Sequence, residues 1–117
     1  VHTMLAPEVC HVGVNMPDAA AAGAAADSFD LLLGGKEEHE KSFFVGDREI
    51  EVMKLQGVGA MGHLAIGVTS VARAMTYYAS QGLAFDESTM TFDEKGQPKF
   101  VYFKEPIGGF GVHLVKK

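Results

Sequence analysis

Two stretches, "HVGVNMPD" (His11–Asp18) and "HLAIGVTS" (His63–Ser70), share one pattern. Each opens on a histidine, carries apolar residues at offsets one, three and five, and places a helix-capping residue at offset seven. Alternation with period two marks a strand with one face buried. Asp18 and Ser70 are side chains that accept from the first free amides of a helix. The pattern therefore predicts a strand followed by a helix, twice.

Working outward, the first helix is expected from Asp18 to Leu33, stopping at Gly34-Gly35. Ala22, Ala25, Ala26, Phe29, Leu32 and Leu33 form its apolar stripe. Gly23 costs it roughly 1 kcal/mol relative to alanine. The second is expected from Val71 to about Gln81, with Val71, Ala74, Met75, Tyr78 and Ala79 as its stripe and Gly82 as its stop. After each helix the period returns to two. "KSFFV" and "EIEVMK" flank a turn at Gly46-Asp47-Arg48, while "TMTF" and "KFVYFK" flank Asp93-Glu94-Lys95-Gly96. "GGFGVHLV" supplies the last strand.

The expected architecture is α+β: two β-α-β-β-(β) modules forming a curved, cup-like mixed sheet, with one helix per module on its outer face. Residues 1–8 read as a linker or the end of a preceding helix, 9–54 as the first module, 55–62 as a Gly-rich linker and 63–117 as the second. Together they make one compact domain.

At 117 residues the chain has room for one domain, and 47% apolar with 21% charged residues is ordinary for a globular protein. The net charge of −5, with no basic run longer than Lys116-Lys117, argues against a nucleic-acid partner, which needs clustered cations. The Ala-rich run at Ala19–Ala26 is interior and leads into Asp27 and Asp30, unlike a signal peptide. No apolar stretch approaches the ~18 residues of a membrane span. Cys10 is the single cysteine, which excludes an intrachain disulfide and fits a reducing compartment. A cytoplasmic protein without membrane partners is expected. Val1 suggests a domain cut from something longer.

Strand parity then places the histidines. Val12, Val14 and Met16 oppose His11 and Gly13; Leu64, Ile66 and Val68 oppose His63 and Ala65. Ile50 and Val52 oppose Glu51, and Val112 and Leu114 oppose His113. The helices must cover the aliphatic faces, so His11, Glu51, His63 and His113 share the other one, among Gly and Ala. Three imidazoles and a carboxylate are good ligands for a divalent transition metal: Zn, Ni, Co or Fe(II). Taken singly, each histidine is more simply a groove or surface residue. Four such groups at equivalent places of a repeat point to a site. His2 and His39, the latter in "KEEHEKS", read as solvated. Arg48 and Arg73 also read as solvated, and the Phe and Tyr residues as core. The strand holding Lys99–Lys104 cannot be oriented from parity alone.

A histidine opening each module, an acid on the closing strand of the first and a βαβββ repeat together resemble the vicinal oxygen chelate superfamily of glyoxalases, bleomycin-resistance proteins and extradiol dioxygenases. The likeness spans about Val9 to Val115, with "IEV" and "VHL" standing where the family writes Ile-Glu-Leu. It implies metal ligation by His11, Glu51, His63 and His113, with Glu51 a candidate proton-transfer base. His113 stands where glyoxalase-like chains have glutamate, which fits metal binding but weakens the case for glyoxalase-type isomerisation. The usual Asp-Pro-Asp-Gly turn is altered to Glu105-Pro106-Ile107-Gly108. "VHTML", "HVGVN", "IEVMK", "GHLAIGV" and "EPIGGFGVHLV" are also similar to a module appended to some bacterial 2-keto-3-deoxy-6-phosphogluconate/4-hydroxy-2-oxoglutarate aldolases. No barrel, and so no Schiff-base lysine, is present.

Three functions follow from the resemblance. The first is a glyoxalase-like accessory domain, attached to a sugar-acid aldolase and holding a metal and a small keto or hydroxy acid. The second is a metal-dependent lyase, isomerase or oxygenase acting on a vicinal-oxygen substrate. The third is a scaffold or oligomerisation module. A homo-oligomer, in the simplest case a dimer, is expected, with the cup closed either within one chain or across two.

Overall fold

The computed structural model describes residues 2–117, and the side chains from Met4 onward. The reading of His2 as solvated lies outside the described side chains. A short helix α1 (His2–Leu5) precedes β1 (Glu8–Asn15), α2 (Ala19–Leu33), β2 (Glu37–Glu38), β3 (Ser42–Val45) and β4 (Ile50–Met53). The second half repeats the scheme with β5 (Gly62–Val68), α3 (Val71–Ser80), β6 (Phe85–Phe92), β7 (Pro98–Phe103) and β8 (Phe110–Lys116).

Both long helices start where their caps predict. Asp18 Oδ1 accepts from the Ala21 amide at 2.8 Å, and the Ser70 hydroxyl from Arg73 at 3.2 Å. Gly34, at φ 75°, ends α2 in a conformation that β-carbons disfavour. Among the described residues, no helix is long and apolar enough to cross a membrane.

All eight strands form one sheet in the order β2-β3-β4-β1-β5-β8-β7-β6. Its halves are mirror-ordered: β1 runs parallel to β4, β5 runs parallel to β8, and β1 meets β5 antiparallel at the centre. The expected α+β class, two-module repeat and curved mixed sheet are all present. Each module keeps its own core beneath its own helix. Ala22, Ala26, Phe43, Val45 and Val52 bury together in the first half. Leu5, Val68, Val71, Ala74, Val101 and Leu114 do so in the second.

Two local expectations are corrected, at the end of α2 and the start of β6, and a short strand is added. The apolar stripe of α2 stops short of Leu32 and Leu33, which are 77% and 50% exposed where the last turn runs beyond the apolar patch. Strand β2 arises inside the polar "KEEHEKS", because Glu37 and Glu38 pair with Phe44 and Phe43 whatever their own propensity. Strand β6 begins at Phe85 rather than at "TMTF". Its register shifts between Asp86 and Thr91, where Ser88 and Thr89 bond back to Asp86.

Candidate metal centre

The four central strands each present one imidazole or carboxylate on the face away from the helices. Glu51 comes from β4, His11 from β1, His63 from β5 and His113 from β8. Strand register sets their spacing. Glu51, Gly13, His63 and Gly111 lie across the sheet in one row, and His11, Ala65 and His113 in the next. Each of these four residues therefore has glycine or alanine beside it on a central neighbouring strand, while Glu51 and His113 meet Phe44 and Tyr102 on their outer sides. The room is needed: a β-carbon on Gly13 would stand 2.1 Å from His63 Cε1, so the imidazole occupies that space. At Gly111 the Val58 side chain takes the corresponding volume, 2.5 Å from where a β-carbon would be. The linker carrying Val58 is held by Asn15, whose side-chain amide donates to the Gly59 carbonyl at 3.0 Å.

The donor atoms converge. His11 Nε2 and His63 Nε2 are 3.0 Å apart. Glu51 Oε1 lies 3.2 Å from His63 Nε2 and 3.5 Å from His11 Nε2. His11, His63 and His113 each offer a ring nitrogen, and these atoms all lie within 4.8 Å of one another. Donors bound at ~2.1 Å to one ion stand about 3.0 Å apart at right angles and about 3.4 Å apart at the tetrahedral angle. The two imidazoles and the carboxylate oxygen thus already have the spacing of one face of a coordination shell, and His113 adjoins it.

Protonation suits the same role. Burial pushes His113 down to about 4, with His63 adding to the effect and a backbone contact of Leu114 and the charge of Glu51 only partly offsetting it. Burial also lowers His11, with His63 and Arg48 adding to that and Glu51 opposing it. Burial works to raise the Glu51 carboxyl. Hydrogen bonds from His63 and Ser42 and the attraction of both imidazoles outweigh it and hold Glu51 below the usual carboxylate range. At neutral pH, His11 and His113 are therefore neutral donors beside an ionised carboxylate, the state a metal requires. His113 Nδ1 is buried without a hydrogen-bond partner, an uncompensated cost unless something else meets the ring.

Side chains that parity left unassigned complete the surroundings. Val101 is buried and Phe103 packs beside it under α3, which turns Phe100 and Tyr102 toward the site. The Phe100 ring lies 4.3 Å from the His113 ring at 31°, and Tyr102 is paired with His113 in register. The expectation of a single aromatic core is corrected accordingly, since Phe85, Phe103 and Tyr78 pack in the core while Phe100 and Tyr102 line the site. Phe44 meets His11 edge-on, and the exposed Arg48 lies over Phe44 at 4.3 Å. Ser42, 3% exposed, donates to Glu51 Oε2 at 2.7 Å. Its signal was present in the sequence: a short turn after "KSFFV" puts Ser42 and Phe44 on the parity of Glu51.

No protein-family model and no curated protein matches the sequence. Solved structures do. Methylmalonyl-CoA epimerase from Mycobacterium tuberculosis superposes with TM-score 0.63 at 16% identity, covering 97% of this chain and 89% of that one. A hypothetical protein from Bacillus halodurans C-125 gives 0.57 at 14%, covering 95% and 94%. Homoprotocatechuate 2,3-dioxygenase from Arthrobacter globiformis gives 0.58 at 18%, covering 93% of this chain but 35% of that one. The epimerase and the dioxygenase are members of the vicinal oxygen chelate superfamily, so the fold expected from the sequence resemblance is the fold this chain shares with them.

Proposed function

We propose that the chain is a metal-binding domain of vicinal oxygen chelate type. His11, His63, His113 and Glu51 hold one divalent ion on the concave face and leave coordination positions for a small oxygen-rich acid. The observation that carries this reading is the gathering of three imidazole nitrogens within 4.8 Å of one another, with Glu51 Oε1 3.5 Å and 3.2 Å from two of them. A divalent ion there supplies Lewis acidity to the oxygens of a chelating ligand. The protein's own part is to hold the donors neutral or anionic, to fix their spacing by strand register and to wall the site with Phe44, Phe100 and Tyr102. A soft-to-borderline ion such as Zn, Ni, Co or Fe(II) matches three nitrogens and one oxygen better than Mg or Ca.

Catalysis is the second reading, favoured by a fold shared with a named epimerase and a named dioxygenase. In it Glu51 both ligates and moves a proton. A place beside a sugar-acid aldolase rests on the sequence resemblance alone. The test is elemental analysis of the purified domain and of His113→Ala. Near-stoichiometric metal in the former, reduced at least tenfold in the variant, is the expected result. Absence of metal from both after reconstitution sinks the proposal.

A further inference from the structure

The repeat pairs each closing-strand group with a different neighbour. Strand register matches Phe44 with Glu51 in one half and Tyr102 with His113 in the other. Two residues before Phe44 stands Ser42, and two before Tyr102 stands Phe100. These equivalent positions carry opposite chemistry. Ser42 donates a 2.7 Å hydrogen bond to Glu51 Oε2, whereas Phe100 lays its ring against the His113 imidazole.

We infer that Ser42 is the positioning residue of the metal centre, dictating which oxygen of Glu51 faces the ion. The inference rests on the metal-binding reading above. A carboxylate has two equivalent oxygens and a freely turning terminal torsion, so an unsupported Glu51 would sample several orientations. Ser42 removes that freedom. Its hydroxyl takes Oε2, leaving Oε1 toward His11 Nε2 and His63 Nε2. Ser42 is itself almost wholly buried on a strand, so its position is set by the sheet rather than by solvent. A hydrogen bond to an ionised acceptor is among the stronger kinds, and outer partners of this sort tune metal affinity through the orientation of the ligand. Glu51 is thereby fixed as a ligand through one oxygen.

Cobalt(II) or zinc(II) affinity, measured by competition with a chromophoric chelator, tests this on wild type, Ser42→Ala and Ser42→Thr. The cobalt visible spectrum is recorded in parallel. Ser42→Ala is expected to bind about 10- to 100-fold more weakly with an altered spectrum, while Ser42→Thr, which keeps the hydroxyl, stays close to wild type. Equal affinity and spectra for wild type and Ser42→Ala overturn the inference but leave the metal-binding reading intact. A wild type that binds neither ion overturns the parent reading and this inference with it. Should Ser42→Ala fail to fold, Ser42→Cys decides: its thiol is a weak donor, so weakened binding supports the assignment and unchanged binding refutes it.

Discussion

The two halves of the sheet follow one plan and differ where it matters for chemistry. In the first, the closing strand β4 presents Glu51, backed by the Ser42 hydroxyl. In the second, β8 presents His113, backed by the Phe100 ring. At the position two residues after the opening histidine the halves differ by one methyl: Gly13 follows His11, and Ala65 follows His63. That difference is felt across the central strand pair, because the His63 ring fills the space above Gly13. The His63 side chain is 10% exposed, whereas the His11 side chain is 22% exposed. A duplicated scaffold therefore makes an asymmetric centre, charged and hydroxyl-backed on one side, neutral and ring-backed on the other.

The largest effect expected from disturbing this contrast lies at Gly13. Gly13→Ala drives His63 off its position, because the new methyl falls on the ring. Chelator competition should show metal affinity reduced 100-fold or more, at an overpacking cost of about 1–3 kcal/mol in stability. The mate substitution, Ala65→Gly, should cost about 1 kcal/mol and leave affinity within a few-fold. Wild-type affinity in Gly13→Ala would remove the steric basis of the asymmetry.

Acid titration of the metal-free protein separates the halves. His113, lowered to about 4 from an ordinary value of 6.5, binds its proton more readily in the unfolded chain. Its neutral form therefore contributes stability above pH 6.5 that is lost as pH falls toward 4, on the order of 3 kcal/mol when complete. Glu51, also lowered, contributes stability present above its ordinary value of 4.5, and this is lost only at lower pH. Denaturant unfolding at stepped pH should thus show a first loss that disappears in His113→Gln and a second that disappears in Glu51→Gln. A single loss, abolished by either variant, would break the assignment of one to each half.

The smallest effect concerns the match between ligand and backing. His113→Glu puts a carboxylate over a phenyl ring that cannot donate to it, and metal affinity should fall about tenfold, a cost like that of losing an outer partner. Adding Phe100→Ser supplies a hydroxyl at the position equivalent to Ser42 and should recover much of that loss. No recovery in the double variant would show that the backing residues act independently of ligand type.

Much of this was legible beforehand. Alternation and caps located β1, α2, β5 and α3, and parity put His11, Glu51, His63 and His113 on one face, because which way a strand residue points is a local property. Glu37 and Glu38 were not legible as a strand, since only pairing with Phe43 and Phe44 makes them one. The direction of β7 was hidden for a related reason. Lys99, Val101 and Phe103 alternate with Phe100, Tyr102 and Lys104 so evenly in hydropathy that only burial of Val101 beneath α3 chooses between the faces.

By itself the sequence determined the repeat, the element boundaries near the caps and the shared face of four chemically able side chains. All of these follow from backbone periodicity and hydrogen bonds made within a few residues. Tertiary structure decided the register. It set Gly13 opposite His63, brought His11 Nε2 to 3.0 Å from a ring 52 residues away, aimed Ser42 at Glu51 and laid Phe100 on His113. Those contacts depend on how separately formed strands are twisted and packed together, and nothing local to any one strand specifies them.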